Sequence, residues 1–165
     1  MQADSSNKLM RSAGSLLARR AYSRGELKDK LAPLGEAQEI ESVLDRLEQL
    51  NLLNDADYAY NSASRWIRKK GWGPLRVYQL LINRKVPAHL AEETIAQVRQ
   101  ETSDVDALKA FLGRRFRTHS LPEDRKGIRK LISSLQREGF PEEVIWTVLR
   151  QKIPPGAWRD FDTGD

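Results

Sequence analysis

Cysteine is absent from this chain of 165 residues. Without a thiol there is no disulfide framework and no thiolate metal site. Histidine is scarce: His89 and His119 are the only two, and each stands alone in the sequence. No Gly-x-x-x-x-Gly-Lys-Ser/Thr loop occurs, and Gly71-Trp72-Gly73 is too short to cradle a phosphate and follows no strand pattern. No apolar run approaches the roughly 18 residues that a bilayer span needs. The opening stretch, MQADSSNKLMRSAGSLLARRAYS, has an early acid and only short apolar runs, so no secretory core is expected. No segment alternates apolar and polar residues, so no strand is assigned. These absences lead to the expectation of a cytoplasmic protein with no membrane attachment, no catalytic residue, no metal and no cofactor.

What the chain does contain is charge and helical periodicity. Hydrophobic residues make up 39%, enough to bury a core, while charged residues make up 31% and leave a net charge of +5. That sign suits a polyanionic partner, nucleic acid or an acidic protein surface, and equally suits plain solubility. In residues 37–53, Ile40, Val43, Leu44, Leu47 and Leu50 recur at spacings of three and four, the apolar face of an amphipathic helix. Ser23 with Glu26 fits a capping box, and Ser103 with Asp106 a looser one. Pro74, Pro87, Pro122 and Pro141 suit the first turns of helices. Gly35, Gly71 and Gly139 suit left-handed stops. Pro154-Pro155-Gly156 is expected to end the last helix and leave a loose tail.

The helices repeat. Leu27, Leu31 and Ile40 stand 50 positions before Val77, Leu81 and Leu90, and 104 positions before Leu131, Leu135 and Val144. Each set spans a short helix, a turn and a second helix, with a further helix ahead of it near 9–20, 55–70 and 104–117. The reading is all-α: three tandem three-helix repeats at 9–53, 54–101 and 102–153, preceded by a flexible N-terminus at 1–8 and followed by a C-terminal tail at 154–165. Units of this kind bury their faces against neighbours, so an elongated, curved helical array is expected.

The second repeat is the most distinctive. Leu53 and Asp55 open a helix that carries Tyr58-Ala59 and Arg65, then comes Gly71-Trp72-Gly73-Pro74 followed by Arg76 and Val77. This order resembles the central signature of the RecX regulatory family. Ser23, Glu26, Leu27 and Leu31 are similar to that family's Ser-x-x-Glu-Leu helix opening, and the resemblance runs from about residue 15 to residue 152. Two departures stand out: Leu80-Leu81 where the family often has Glu-Leu, and Arg84-Lys85 where it has Lys-Gly. The resemblance implies three tandem three-helix repeats, no catalytic residue, and a modulator that binds the RecA recombinase filament on DNA. It implies that the effect on strand exchange, ATP hydrolysis and coprotease activity is mostly inhibitory.

Acids gather at Glu36, Glu39, Glu41, Asp45, Glu48, Asp55 and Asp57, with Arg46 the one cation among them. The wet face of a helix accounts for them more simply than a metal does. Cations gather next. Arg65, Arg68, Lys69, Lys70, Arg76, Arg84 and Lys85 occur with no acid between 65 and 85. A helix C-terminus favours Lys69 and Lys70 through its dipole, but Arg76 follows the Pro74 start, where a cation opposes the dipole. Arg76 therefore points to a partner anion or to a specific internal acid. Trp72 sits in the turn, where it could pack, stack on a base or fill a partner's pocket; Trp66 fits helical packing. The candidate partner- and DNA-binding set is Arg65, Arg68, Lys69, Lys70, Trp72 and Arg76, joined by Arg19, Arg20 and Lys28 in the first repeat and Arg114 and Arg115 in the third. The expected partners are the RecA filament and DNA phosphates, with the chain itself a monomer. An independent nucleic-acid-binding module and a helical adaptor unrelated to RecA are the alternatives.

Overall fold

The computed structural model describes residues 2–162, and among these all regular structure is helical. The order is α1 (Gln2–Leu17), α2 (Arg24–Leu31), α3 (Ala37–Gln49), α4 (Asp55–Arg65), α5 (Pro74–Asn83), α6 (Ala88–Glu101), α7 (Asp104–Arg115), α8 (Arg125–Arg137), α9 (Glu142–Lys152) and a short α10 (Arg159–Asp162). The last turn of α4 widens into a π-turn over Trp66–Lys70. The helix α1 begins at Gln2, so residues 2–8 are helical.

Capping follows the sequence closely. The Ser23 hydroxyl accepts from the Glu26 amide while the Glu26 carboxylate accepts from the Ser23 amide. Ser103 caps α7 through the Asp106 amide, and Asp124 caps α8 through Gly127. Pro74 opens α5, and Pro87 and Pro141 stand immediately before α6 and α9. Pro122 differs from expectation: it lies in the loop ahead of α8, whose start is set by Asp124. Gly71 and Gly139 adopt left-handed φ values of 72° and 87°, but Gly35 is extended at −171°, because a 3-10 turn over Ala32–Leu34 ends α2 instead. Lys85 takes the left-handed position, with φ 61°. Leu50 is also corrected: α3 stops at Gln49, Asn51 turns left-handed, and Leu50 is left exposed.

The described residues form two compact units, 2–62 with 80–94, and 63–79 with 95–162. In the first, α1 packs on α2 and α3, and Leu9, Ala13, Tyr22, Leu27, Leu31, Ile40, Leu44 and Leu47 form the core. In the second, α7 and α8 pack on α9 around Leu108, Leu112, Ile128, Leu135, Phe140, Ile145 and Leu149. Trp158, beyond α9, is also buried, 5.7 Å ring to ring from Trp146 and 5.5 Å from Phe161, so the described part of the tail is built into this core. Of the nine residues aligned by the repeat, eight are buried and Leu90 is partly so.

Candidate interaction site

The same junction is built twice. Ser23, ahead of α2, donates its hydroxyl to the Arg84 carbonyl at the end of α5. Fifty positions on, Gly73 ahead of α5 donates its amide to the Glu138 carbonyl at the end of α8, at 2.7 Å. In the first junction Val86 bonds back to Leu81 past left-handed Lys85; in the second Phe140 bonds back to Leu135 past left-handed Gly139. Both are Schellman stops. A helix start rests on each stop. A Cβ on Gly25 would collide with Lys85, and one on Gly73 would collide with the Gly139 carbonyl. Gly73 is therefore required by backbone approach, whereas Gly71 is required by its left-handed cap.

The two junctions share an ion pair at equivalent positions, with the signs exchanged. Glu26 accepts from Arg84 at 2.9 Å, and Arg76 donates to Glu138 at 2.6 Å. Burial alone would raise the Glu26 carboxyl. Hydrogen bonds from Arg20, Arg84, Tyr58 and the Ser23 amide outweigh it and hold the group below its usual range. Arg76 thus has its internal acid, Glu138, and its guanidinium also lies 4.1 Å above the Trp72 ring. Trp72 is half-buried, with Trp66 at 6.3 Å and tilted 39°. One face of Trp72 is therefore occupied within the protein.

Other predicted cations are neutralised as well. Arg68 pairs with Glu101, Arg20 with Glu26, and Lys28 with Glu41 at 2.5 Å. Three acids of α3 have a common partner that sequence reading did not pair with them: Arg24 reaches Glu41 at 2.6 Å and Asp45 and Glu48 at 2.7 Å. Among the described residues no three His, Asp or Glu side chains converge as a metal would need. Arg65, Lys69, Lys70, Arg114 and Arg19 make no ion pair among the described residues. Arg114 lies against Gly71, which joins it to the Trp72 corner. Arg115 donates instead to the Ser134 hydroxyl at 2.8 Å and lines a groove along α8. Arg65, Arg68, Lys69, Lys70, Trp72, Arg76, Arg114 and Arg115 fall in the second unit, and Arg19, Arg20 and Lys28 in the first.

A helical-repeat protein whose helix starts seat on left-handed helix stops is the class that this geometry defines. The comparisons make it particular. Residues 10–47 match the family described as RecX, first three-helix domain. A Regulatory protein RecX of Thermus thermophilus is 37% identical over 136 residues, covering 82% of this chain and 85% of that protein. One from Leptothrix cholodnii is 33% identical over 135 residues, covering 81% and 82%. The crystal structure of RecX from Lactobacillus salivarius matches with a TM-score of 0.74 at 24% identity, covering 90% of this chain and 97% of that one. The chain belongs to the RecX family of regulatory proteins. No helix among the described residues is long and apolar enough to cross a membrane.

Proposed function

We propose that this protein is a cytoplasmic, monomeric regulator that binds RecA filaments assembled on DNA and restrains their recombinase, ATPase and coprotease activities. The observation that carries the reading is the 37% identity with a Regulatory protein RecX across 82% of the chain. The cations that the fold leaves unpaired suit such a partner, since an assembled filament on DNA offers acidic and phosphate surfaces in series. The contact region assigned here is the Trp72 corner, where Arg65, Lys69, Lys70 and Arg114 supply charge and the open edge of Trp72 supplies contact area. Arg68, Arg76, Arg20 and Lys28 serve chiefly as internal partners.

The test is titration into RecA-catalysed ATP hydrolysis on single-stranded DNA. Graded, stoichiometric inhibition is expected, with a Trp72→Ala and Lys69→Gln/Lys70→Gln variant shifting the midpoint upward at least tenfold while remaining folded. No effect of the wild-type protein on hydrolysis or on filament co-sedimentation would overturn the reading.

A further inference from the structure

The helix α8 carries three cations, Lys126, Lys130 and Arg137, that make no ion pair among the described residues. Its buried face presents Ile128, Leu131 and Leu135. The opposite face lines an open groove with Lys126, Arg129, Lys130 and Arg137, to which α7 adds Arg115 and which contains no carboxylate. This contrasts with the two junctions, where each guanidinium has its acid within 2.9 Å. The arrangement opposes helix stability. Lys126 and Lys130 are like charges one turn apart, and Arg125 and Lys126 occupy the first turn, the wrong end for a cation.

We infer that this groove is a binding site for the phosphate backbone of a nucleic acid, read without regard to base sequence. Thirteen residues of helix give a stripe about 20 Å long, on which Lys126 and Lys130 stand about 6 Å apart and Arg137 about 10 Å further on. The shorter spacing is comparable to the separation of successive phosphates on one strand, and the longer one passes over a phosphate that Ser133 or Ser134 faces. Ser133 and Ser134 stand among the cations as hydroxyl donors. Arg, Lys and Ser are the side chains that contact phosphate oxygens. Protein interfaces instead rely on aromatic anchors and are poor in Lys. The groove lining holds no aromatic ring on which a base could stack. The site deepens the proposed function, on which its biological setting rests, but binding to naked nucleic acid is measured without RecA.

The experiment is fluorescence anisotropy of a labelled oligothymidylate, titrated with the full chain across a salt series. Lys126→Gln, Lys130→Gln and Arg137→Gln are combined in one variant. Each lost phosphate contact lowers the salt slope by about 0.7, so three lower it by about 2 and weaken binding about a hundredfold at 0.1 M salt. Lys130→Gln alone should remove about a third of that slope change. The triple variant should melt no lower than wild type, because like-charge repulsion is relieved. An equal charge loss at Lys8, Arg11 and Lys30, exposed residues of the first unit that do not line the groove, should change affinity less than about threefold if binding needs direct phosphate contacts and not net charge alone. The inference is overturned if the α8 variant keeps wild-type affinity and slope, or if both triples weaken binding alike. It is also overturned if the α8 variant binds oligonucleotide normally yet no longer sediments with RecA filaments, which would make the groove a protein surface. Absence of any RecA effect in the wild type would instead remove the proposed function and leave the groove standing.

Discussion

Exchanging the charges of Arg76 and Glu138 tests how the second junction is held. Their atoms meet at 2.6 Å, with side chains 36% and 26% exposed. At 4 Å and an effective dielectric of 20, the gross attraction is on the order of 4 kcal/mol. Desolvation and solvent screening at this exposure reduce the net coupling to about 0.5–1 kcal/mol. Arg76 also covers Trp72, worth about 0.5–1 kcal/mol more. Arg76→Ala should therefore lower stability by about 1–2 kcal/mol, and Glu138→Ala by about 0.5–1 kcal/mol. Glu138→Arg alone should be worse than Glu138→Ala, because it sets two guanidiniums face to face. The double exchange, Arg76→Glu with Glu138→Arg, should recover the ion pair but not the contact with Trp72. It reproduces the sign pattern that Glu26 and Arg84 already hold in the first junction. Urea unfolding followed by circular dichroism at low salt gives the cycle, and repetition near 1 M salt should shrink the coupling. A coupling below about 0.2 kcal/mol, or a double exchange no more stable than Glu138→Arg, would refute the account.

Leu81 and Leu135 are fully buried, so each change to Ala should lose about 2–5 kcal/mol in the same assay, and losses below about 1 kcal/mol at both would contradict the repeat alignment. Lys85 holds a left-handed φ of 61°, so Lys85→Gly should stabilise by about 1 kcal/mol, visible as a higher melting temperature. The 3.8 Å contact of Lys85 with Asp29 joins two exposed side chains and offsets little of that gain. The Glu26 carboxyl titrates lower in the folded chain than in the unfolded one, so its stabilisation is full at neutral pH and is lost as the pH falls below the usual carboxylate range. Acid unfolding of Glu26→Gln should therefore start from a lower stability and fall less steeply in that range.

Local features were legible because they depend on neighbours in sequence. The Ser23–Glu26 box, the Pro74 start and the stops at Gly71 and Gly139 need only a few adjacent residues to specify them. The spacings of 50 and 104 were legible because buried positions demand apolar side chains, and Leu27, Leu81 and Leu135 meet that demand. The left-handed Lys85 was not, because a lysine there is disfavoured locally and is imposed by the packing of Gly25 against it. Trp158 was hidden for a similar reason: Pro154 and Pro155 end the helix, but a 3-10 turn follows and returns the indole to the core. The pairing of Arg24 went unnoticed because its three acids lie 17 to 24 residues away on another helix.

The same reasoning explains why a run of cations is weak evidence for a binding face. Between 65 and 85 the sequence has no acid, yet Arg68, Arg76 and Arg84 each find one, at Glu101, Glu138 and Glu26. Separations of 33, 62 and 58 residues put those partners beyond any local window. The two junctions carry opposite signs at matching positions, so a pair is built there with either side basic. Arg76 at the unfavourable end of α5 is thus a consequence of Glu138 at the end of α8. Once such pairs are set aside, the charge available to a partner is what the fold does not use. At the corner that leaves Arg65, Lys69, Lys70 and Arg114, and along α8 it leaves Lys126, Lys130 and Arg137. Only the second group lies in a groove without a carboxylate, with Lys126 at the helix end where the dipole opposes a cation.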